Sequence, residues 1–349
     1  MANQHTIPTT EYNALWARPG LTLAGRGKSR VLDPGSGPGR YHRALRLLAE
    51  TGADLAFASF TFDPDEEGSV IIVPERVENS FAAVAGARPN GIIDEDDAER
   101  WPKMVNEALV EIERGRVEKV VLSRRLRATF DHGLDPFSVA AHLIGTQPDC
   151  HVYAMEGLVG ASPELLLRTG EGHIESMPLA GSATDERPDL LTHKNEVEHR
   201  LAADSVGGAF SAAGLEYTRT EPTIVEVGEI RHLGTHFEGS TPDGFDFGDI
   251  LPHLHPTAAV AGTPTPVALS IINDMEETSR GRYSGPVGWF DMEGNCEFAV
   301  ALRCGLLTGT TAVLRSGAGI VAGSNADDEL EETIWKLKPM LDALGLSGV

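Results

Sequence analysis

No apolar run in the sequence approaches the roughly 18 residues that a membrane-spanning helix needs. The first twenty residues, MANQHTIPTTEYNALWARPG, lack both a basic start and an apolar stretch behind it, so no secretory signal is read there and the protein is expected in the cytoplasm. Cysteine is scarce: Cys150, Cys296 and Cys304 are odd in number and show no CxxC spacing, which argues for reduced thiols and against a disulfide framework or a structural zinc site. Basic residues are outnumbered, 29 against 52 acidic, giving a formal charge of −23. A field of that sign repels nucleic acid and anionic membranes. It repels an anionic metabolite too, so a site for one must contain its own positive groups or a bound cation. There is no internal repeat and no low-complexity linker, and residues 1–349 are read as one large domain.

What is present is an irregular alternation of short β-type runs with a few amphipathic helices. Strands are expected at Leu55 to Phe62, Ser69 to Pro74, Val117 to Leu126, His151 to Glu156, Glu164 to Arg168, Gly285 to Met292, Cys296 to Cys304 and Thr311 to Arg315. Helices are expected at about 95–114, 135–145, 190–211, 265–276 and 327–344. Strands follow one another through turns at least as often as they alternate with helices, which favours an α+β fold over a doubly wound sheet. Residues 1–50 show little periodicity, and GSGPGR at Gly35 to Arg40 reads as a surface turn, since it lacks the spacing of a phosphate-binding loop.

Four segments carry side chains suited to chemistry. In VEKVVLSRRL the strand period of two sets Val120, Leu122 and Leu126 on one face and Val117, Lys119, Val121 and Ser123 on the other. Lys119 is then either a solvated edge residue or a desolvated amine able to act as a base. In the last helix Leu330, Ile334, Leu337, Leu341 and Leu344 form an apolar stripe with Glu329, Glu332 and Lys336 beside it. These charges are explained either by the helix dipole and an i,i+4 ion pair or by a metal role that needs a second carboxylate. Glu198, beside a stripe of Leu191, Val197 and Leu201, could be that carboxylate; two glutamates plus water suit magnesium. In Ser316 to Ser324, Gly317 and Gly319 either serve a turn or let backbone amides approach an anion, with Arg303 near in sequence as a bidentate partner. The histidines of HLHPTAAVAGTP, His253 and His255, read as structural, and His199 has no second histidine at ligand spacing.

Taken in order, the blocks EKVVLSR, GASPELLLR, PLAGS, KNEVEH, HLGT, LHPTAAVAGTP, RGRYSGPVGW, VALRCG, SGAGIV and ELEETIWKLK resemble the chorismate-utilising enzyme family. The likeness runs from Val117 to Leu344, about two thirds of the chain, and residues 1–100 match weakly. It implies a large α+β domain in which two β-sheets pack together with helices outside. It also implies that Glu198 and Glu332 hold Mg²⁺ and that Tyr283 and Arg303, with the amides near Gly317 and Gly319, bind a carboxylate of chorismate. Gly181, His232 and Lys336 would line the same pocket.

Within that family, lysine rather than glutamine at Lys119 resembles members that add water rather than ammonia, with Lys119 as general base and Glu164 as general acid. Ala259, where salicylate synthases tend to carry threonine, resembles members that stop at isochorismate. The expectation is therefore an isochorismate synthase, with salicylate synthase as runner-up; an aminating synthase subunit and a catalytically silent binding subunit are further alternatives. Its product could feed menaquinone, a catecholate siderophore or salicylate. Neither a glutaminase subunit nor a nucleic-acid or membrane partner is expected, and the protein would act as a monomer or weak dimer. Two departures from the family stand near Gly181: a short TDERPDLLTH segment, and Ala183-Thr184 where basic residues are usual.

Overall fold

Strands dominate the computed structural model, which describes residues 12–82, 89–185 and 189–346, and among these residues the strands pair antiparallel. Seventeen strands form one continuous hydrogen-bonded ribbon, and three more, Leu179–Ala183, Thr223–Val227 and Ile230–Gly234, form a small separate sheet. An open twisted sheet of that width must curl or divide. Here it curls, so that side chains from distant stretches of the ribbon, among them Trp16, Phe57, Tyr153, Val287 and Ala299, share one apolar layer. Helices lie outside this layer. Trp101–Glu113, His193–Ala212, Phe247–Leu254 and Thr265–Met275 pack on one stretch. Pro136–Thr146 and Ala326–Leu344 pack on the other. This is the α+β arrangement of packed sheets with outer helices that the sequence leads one to expect, with the two layers joined edge to edge.

Residues 12–51 are more ordered than their composition suggests. Strands Tyr12–Arg18 and Leu21–Leu32 form a hairpin that bridges His151–Met155 to Val70–Glu78, and a helix follows at Arg40–Thr51. The second strand escapes a periodicity search because its latter half is exposed and Gly27, at φ 80°, interrupts the register. The GSGPGR turn is a turn, yet its last residue is buried: the Arg40 guanidinium reaches Thr61 Oγ1 at 2.7 Å and the Thr61 carbonyl at 3.0 Å.

Three further expectations need correction. The strand read over Cys296 to Cys304 is two, Cys296–Val300 and Cys304–Thr308, broken where Arg303 adopts φ 47°. Leu191 precedes the helix that begins at His193 and is 70% exposed, so it is no part of an apolar stripe. Ile334 is 49% exposed, because the last helix is rotated to bury Glu329, Glu332 and Thr333 instead.

One buried carboxylate ties distant strands together. Glu297 lies 2.7 Å from Arg18 Nε, 3.0 Å from Arg168 Nε and 3.4 Å from His151 Nε2. Burial pushes its carboxyl up, but hydrogen bonds from His151, Arg18 and Arg168 outweigh that and hold it down at about 2. A depressed carboxyl stabilises the fold fully above its ordinary value of 4.5, and that contribution is lost as pH falls from there through about 2. Glu297→Gln leaves Arg18 without its carboxylate and Arg168 with Glu175 alone, and should lower unfolding free energy by about 1–3 kcal/mol in urea at pH 7. The loss should shrink at pH 3, where the wild-type carboxylate is itself losing its advantage.

Candidate active site

Strand Lys119–Phe130 pairs with Thr311–Val321 so that Lys119, Val121 and Ser123 stand opposite Val321, Gly319 and Gly317. Val120 and Leu122 face the core, leaving Lys119 and Val121 on the other face, as the period of two requires. That face is covered rather than solvated, and Lys119 is wholly buried. Its Nζ lies 3.2 Å from Glu198 Oε1. Helix His193–Ala212 delivers that carboxylate: Thr192 caps its N-terminus through the Asn195 amide, and Asn195, Glu198, His199 and Ala202 turn inward at helical spacing.

The two glycines lie in an unbroken strand, not in a turn. A Cβ on Gly319 would stand 2.1 Å from Glu198 Oε1 and 2.9 Å from Lys119 Cε, and one on Gly317 would stand 2.7 Å from the Leu122 carbonyl oxygen. Val121 and Ser123 donate their amides away from this strand, to the Ala261 carbonyl and to Glu276 Oε1. The facing pairs are therefore non-hydrogen-bonded ones, and the amides of Gly317 and Gly319 turn to the opposite edge. There Lys336 donates to the Gly317 carbonyl at 3.1 Å and to Glu332 Oε1 at 2.6 Å.

A group of buried carboxyls surrounds this edge. Lys194 Nζ lies 2.6 Å from Glu329 Oε1, and burial, which would lower its pKa, is outweighed by Glu329, Glu332 and Glu198, which raise it. Burial and the charge of Glu332 push Glu329 up; in Glu332 burial is overcome by Lys336 and Lys194, and the carboxyl is held down. Glu164 sits just before strand Leu165–Gly170 rather than in it. Burial pushes its carboxyl up to about 8, against the pull of Lys119, the Leu179 amide and Lys336. A group with that value is mostly protonated at neutral pH.

On the far wall Arg303 donates to His232 Nε2 at 3.0 Å, so that nitrogen is the acceptor and Nδ1 carries the proton toward the Gly181 carbonyl at 3.2 Å. Burial, with Arg303 and Lys336 nearby, holds His232 down at about 3, and burial with Lys119 holds His199 at about 4. Both imidazoles are neutral at pH 7. His199 Nε2 lies 2.8 Å from Thr235 Oγ1 and His255 Nε2 3.1 Å from the Phe62 carbonyl, which are structural contacts.

Ten of the residues singled out in the sequence, Glu164, Gly181, Glu198, His232, Ala259, Tyr283, Arg303, Gly317, Gly319 and Lys336, line one cavity with about 670 Å³ of free space including its mouth. The other two adjoin it, Lys119 on Glu198 and Glu332 on Lys336. Sequence reasoning missed Lys194, Ser182 and Arg315. Ser182 reaches Glu332 Oε1 at 3.4 Å, and Arg315 lines the cavity near Tyr283. Lys194 could have been found from its place four residues before Glu198, on the same helical face. The segment beyond Gly181 is described only in part, since residues 186–188 fall outside the described residues.

A buried amine, a carboxyl that keeps its proton and a cluster of glutamates are the groups that general acid-base chemistry on a small anion would require. The model of the chorismate binding enzyme family matches residues 75–345, and the chain belongs to that family. It is 36% identical over 289 residues to the isochorismate synthase MenF of Bacillus subtilis, an alignment that takes in 78% of this chain and 60% of that protein. Component 1 of anthranilate synthase from Saccharolobus solfataricus is 29% identical over 332 residues, 88% of this chain and 78% of the relative. A crystal structure described as a putative 2,3-dihydroxybenzoate-specific isochorismate synthase, DhbC from Bacillus anthracis, superposes with a TM-score of 0.85 at 28% identity, covering 97% of each chain.

The close approach at Gly319 can be tested by itself. Gly319→Ala must displace Glu198 or Lys119, and should cost about 1–3 kcal/mol of stability by overpacking, measured by chemical denaturation. A loss near zero would mean that the Glu198 carboxylate is not held against this strand.

Proposed function

We propose that this chain is an isochorismate synthase that isomerises chorismate with Mg²⁺. The observation that carries the reading is a buried Lys119 amine set against Glu198 beside the cavity, together with a Glu164 carboxyl in the cavity wall pushed up to about 8. Moving a hydroxyl from C4 to C2 of an allylic system needs a base for the incoming water and an acid for the departing hydroxyl, and these two residues meet that need.

The carboxylates fit a hard cation. Glu198, Glu329 and Glu332 are buried oxygen donors sharing the field of Lys194, the kind of site magnesium takes. Glu198 and Glu332 would hold the ion, with Glu329 beside them; when bound it would neutralise their charge and fix a substrate carboxylate. Arg303, Tyr283 and the Gly317 and Gly319 amides would take the other carboxylate.

The residues of the chain would then act in turn. Glu198 would be committed to the cation, which would leave Lys119 Nζ to face the incoming water. Lys119 Nζ takes a proton from water as its oxygen bonds to C2, and the ring double bonds shift. The C4–O bond breaks while Glu164 gives its proton to the departing hydroxyl, which leaves as water. One water enters and one leaves, so the change is an isomerisation. Protons then return to Glu164 and from Lys119 through solvent. No ammonia donor is involved, so no glutaminase subunit is required.

Incubating the pure chain with chorismate and Mg²⁺ should give isochorismate with little salicylate, resolved by chromatography. Salicylate as the main early product would move the assignment to salicylate synthase, and no turnover would refute it. Lys119→Ala should lower kcat by roughly 10²–10⁴-fold with a much smaller change in chorismate affinity. The wild-type rate should fall as pH rises through about 8, where Glu164 loses its proton, and this basic limb should vanish in Glu164→Gln. Glu332→Gln should abolish the rise in melting temperature that Mg²⁺ gives the wild type; an unchanged rise would remove Glu332 from the metal site.

A further inference from the structure

The segment that carries Tyr283 into the reaction cavity also walls a second one. This neighbour has about 760 Å³ of free space and shares Tyr283 and Arg315 with the first. Four arginines, Arg125, Arg280, Arg282 and Arg315, line it against a single carboxylate, Glu66. In a chain of formal charge −23 such a cluster runs against the general field.

The four differ in how their charge is met. Arg280 is neutralised by Glu276, with Nε at 3.0 and 3.2 Å from its two oxygens, and spends further donors on the carbonyls of Val260 and Val121. Arg125 pairs with Glu95 at 2.7 Å. Arg315 leans on the Thr278 and Ser279 carbonyls at 3.1 and 2.7 Å, and its nearest carboxylate oxygen, on the Glu276 already held by Arg280, is 3.7 Å away. Arg282 meets no carboxylate within 4.0 Å among the described residues; it donates to the carbonyls of Met155 at 3.0 Å and Glu156 at 2.5 Å. Two of its five N–H donors are used and three remain.

A partly buried guanidinium whose hydrogen bonds go to carbonyls, with the Glu156 charge beyond ion-pair distance, gains from a closer countercharge. From this arrangement we propose that the cavity is a second anion-binding site, taking one small oxyanion, phosphate or carboxylate, on Arg282 and Arg315. The planar fork of Arg282 suits two such oxygens at once. A polyanion is disfavoured, because everything beyond the cavity presents the net negative field of the chain.

The test is calorimetric titration of the full chain with sodium phosphate, and separately with sodium pyruvate, at ionic strength fixed with chloride. One anion should bind per chain, and Arg282→Gln should weaken it by about tenfold or more, as expected for a lost charged hydrogen bond. Arg303→Gln, which alters the reaction cavity and lies outside the lining of this one, should leave it intact. Whichever anion binds with that dependence identifies the source as phosphate or carboxylate. If neither gives a saturable signal, if Arg282→Gln leaves affinity unchanged, or if Arg303→Gln abolishes it, the proposal fails. Should Arg282→Gln not fold, Arg282→Lys decides in its place: it keeps the charge and loses the fork, so weaker binding supports the site and unchanged binding overturns it.

Discussion

Everything in the reaction cavity is arranged around one buried contact, Lys119 Nζ to Glu198 Oε1 at 3.2 Å. An amine and a carboxylate taken out of water are tolerated only when each compensates the other closely. That demand fixes the register of the Lys119–Phe130 and Thr311–Val321 strands, because only a strand without a side chain at 319 leaves room over Lys119 for a helix to bring its glutamate down. It also fixes the rotation of the His193–Ala212 helix, whose inward stripe is polar where it meets the site, at Asn195, Glu198 and His199, and apolar beyond, at Ala202, Val206, Ala209 and Phe210. Gly319 is thus a packing requirement of the ion pair, and Gly317 one of the close approach to the Leu122 carbonyl. Turning two amides toward the cavity is a second consequence of the same register.

The same reasoning extends to the charge of the whole site. Glu164, Glu198, Glu329 and Glu332 face Lys119, Lys194, Lys336 and Arg303, four carboxyls against four cationic groups. Two carboxyls, Glu164 and Glu329, are pushed up, so part of the negative charge is held as proton rather than as carboxylate. With those two protonated, Lys119, Lys194, Lys336 and Arg303, and Arg315 in the wall, outnumber the carboxyls left to carry charge. The difficulty posed by a chain of −23, that it repels the anions it would act on, is met by this local excess of positive charge.

How much of this was legible depended on whether a residue's role follows from local pattern. The period of two placed Lys119 on the face opposite Val120 and Leu122, and the structure agrees. The resemblance carried by short blocks gathered ten residues that do line one cavity, though they come from strands, helices and loops scattered over some 170 positions. Hydrophobic periodicity failed where the buried stripe is polar. A search for apolar spacing chose Ile334 in the last helix, whereas the helix turns Glu329, Glu332 and Thr333 inward because Lys194, Ser182 and Lys336 are there to meet them. Lys336 is a local i,i+4 partner of Glu332, but Lys194 and Ser182 lie far off in sequence, so nothing local reveals them. Strand Leu21–Leu32 was missed for the opposite reason: half of it is exposed, and pairing with Tyr12–Arg18 and Val70–Glu78 supplies what composition does not.

The break in the strand at Arg303 joins fold and chemistry. A non-glycine residue at φ 47° is strained, and such strain persists only where its surroundings hold it. The Arg303 carbonyl accepts from Ala161 at 3.2 Å, while Ser284, itself at φ 63°, donates to Ala301 at 2.8 Å. With the backbone pinned on both sides, the guanidinium is turned from the sheet toward His232 rather than continuing the ladder. His232 accepts it because burial keeps the imidazole neutral, and the imidazole in turn holds the Gly181 carbonyl, where φ 71° and the contact with Asn195 leave no space for a side chain. Asn195 stands one turn before Glu198 on the helix that supplies the ion pair. The far wall of the cavity is therefore positioned by the same helix as the near wall. A displacement of that helix would be felt at Arg303 and Lys119 together, which couples the groups suited to holding an anion to the group suited to moving a proton.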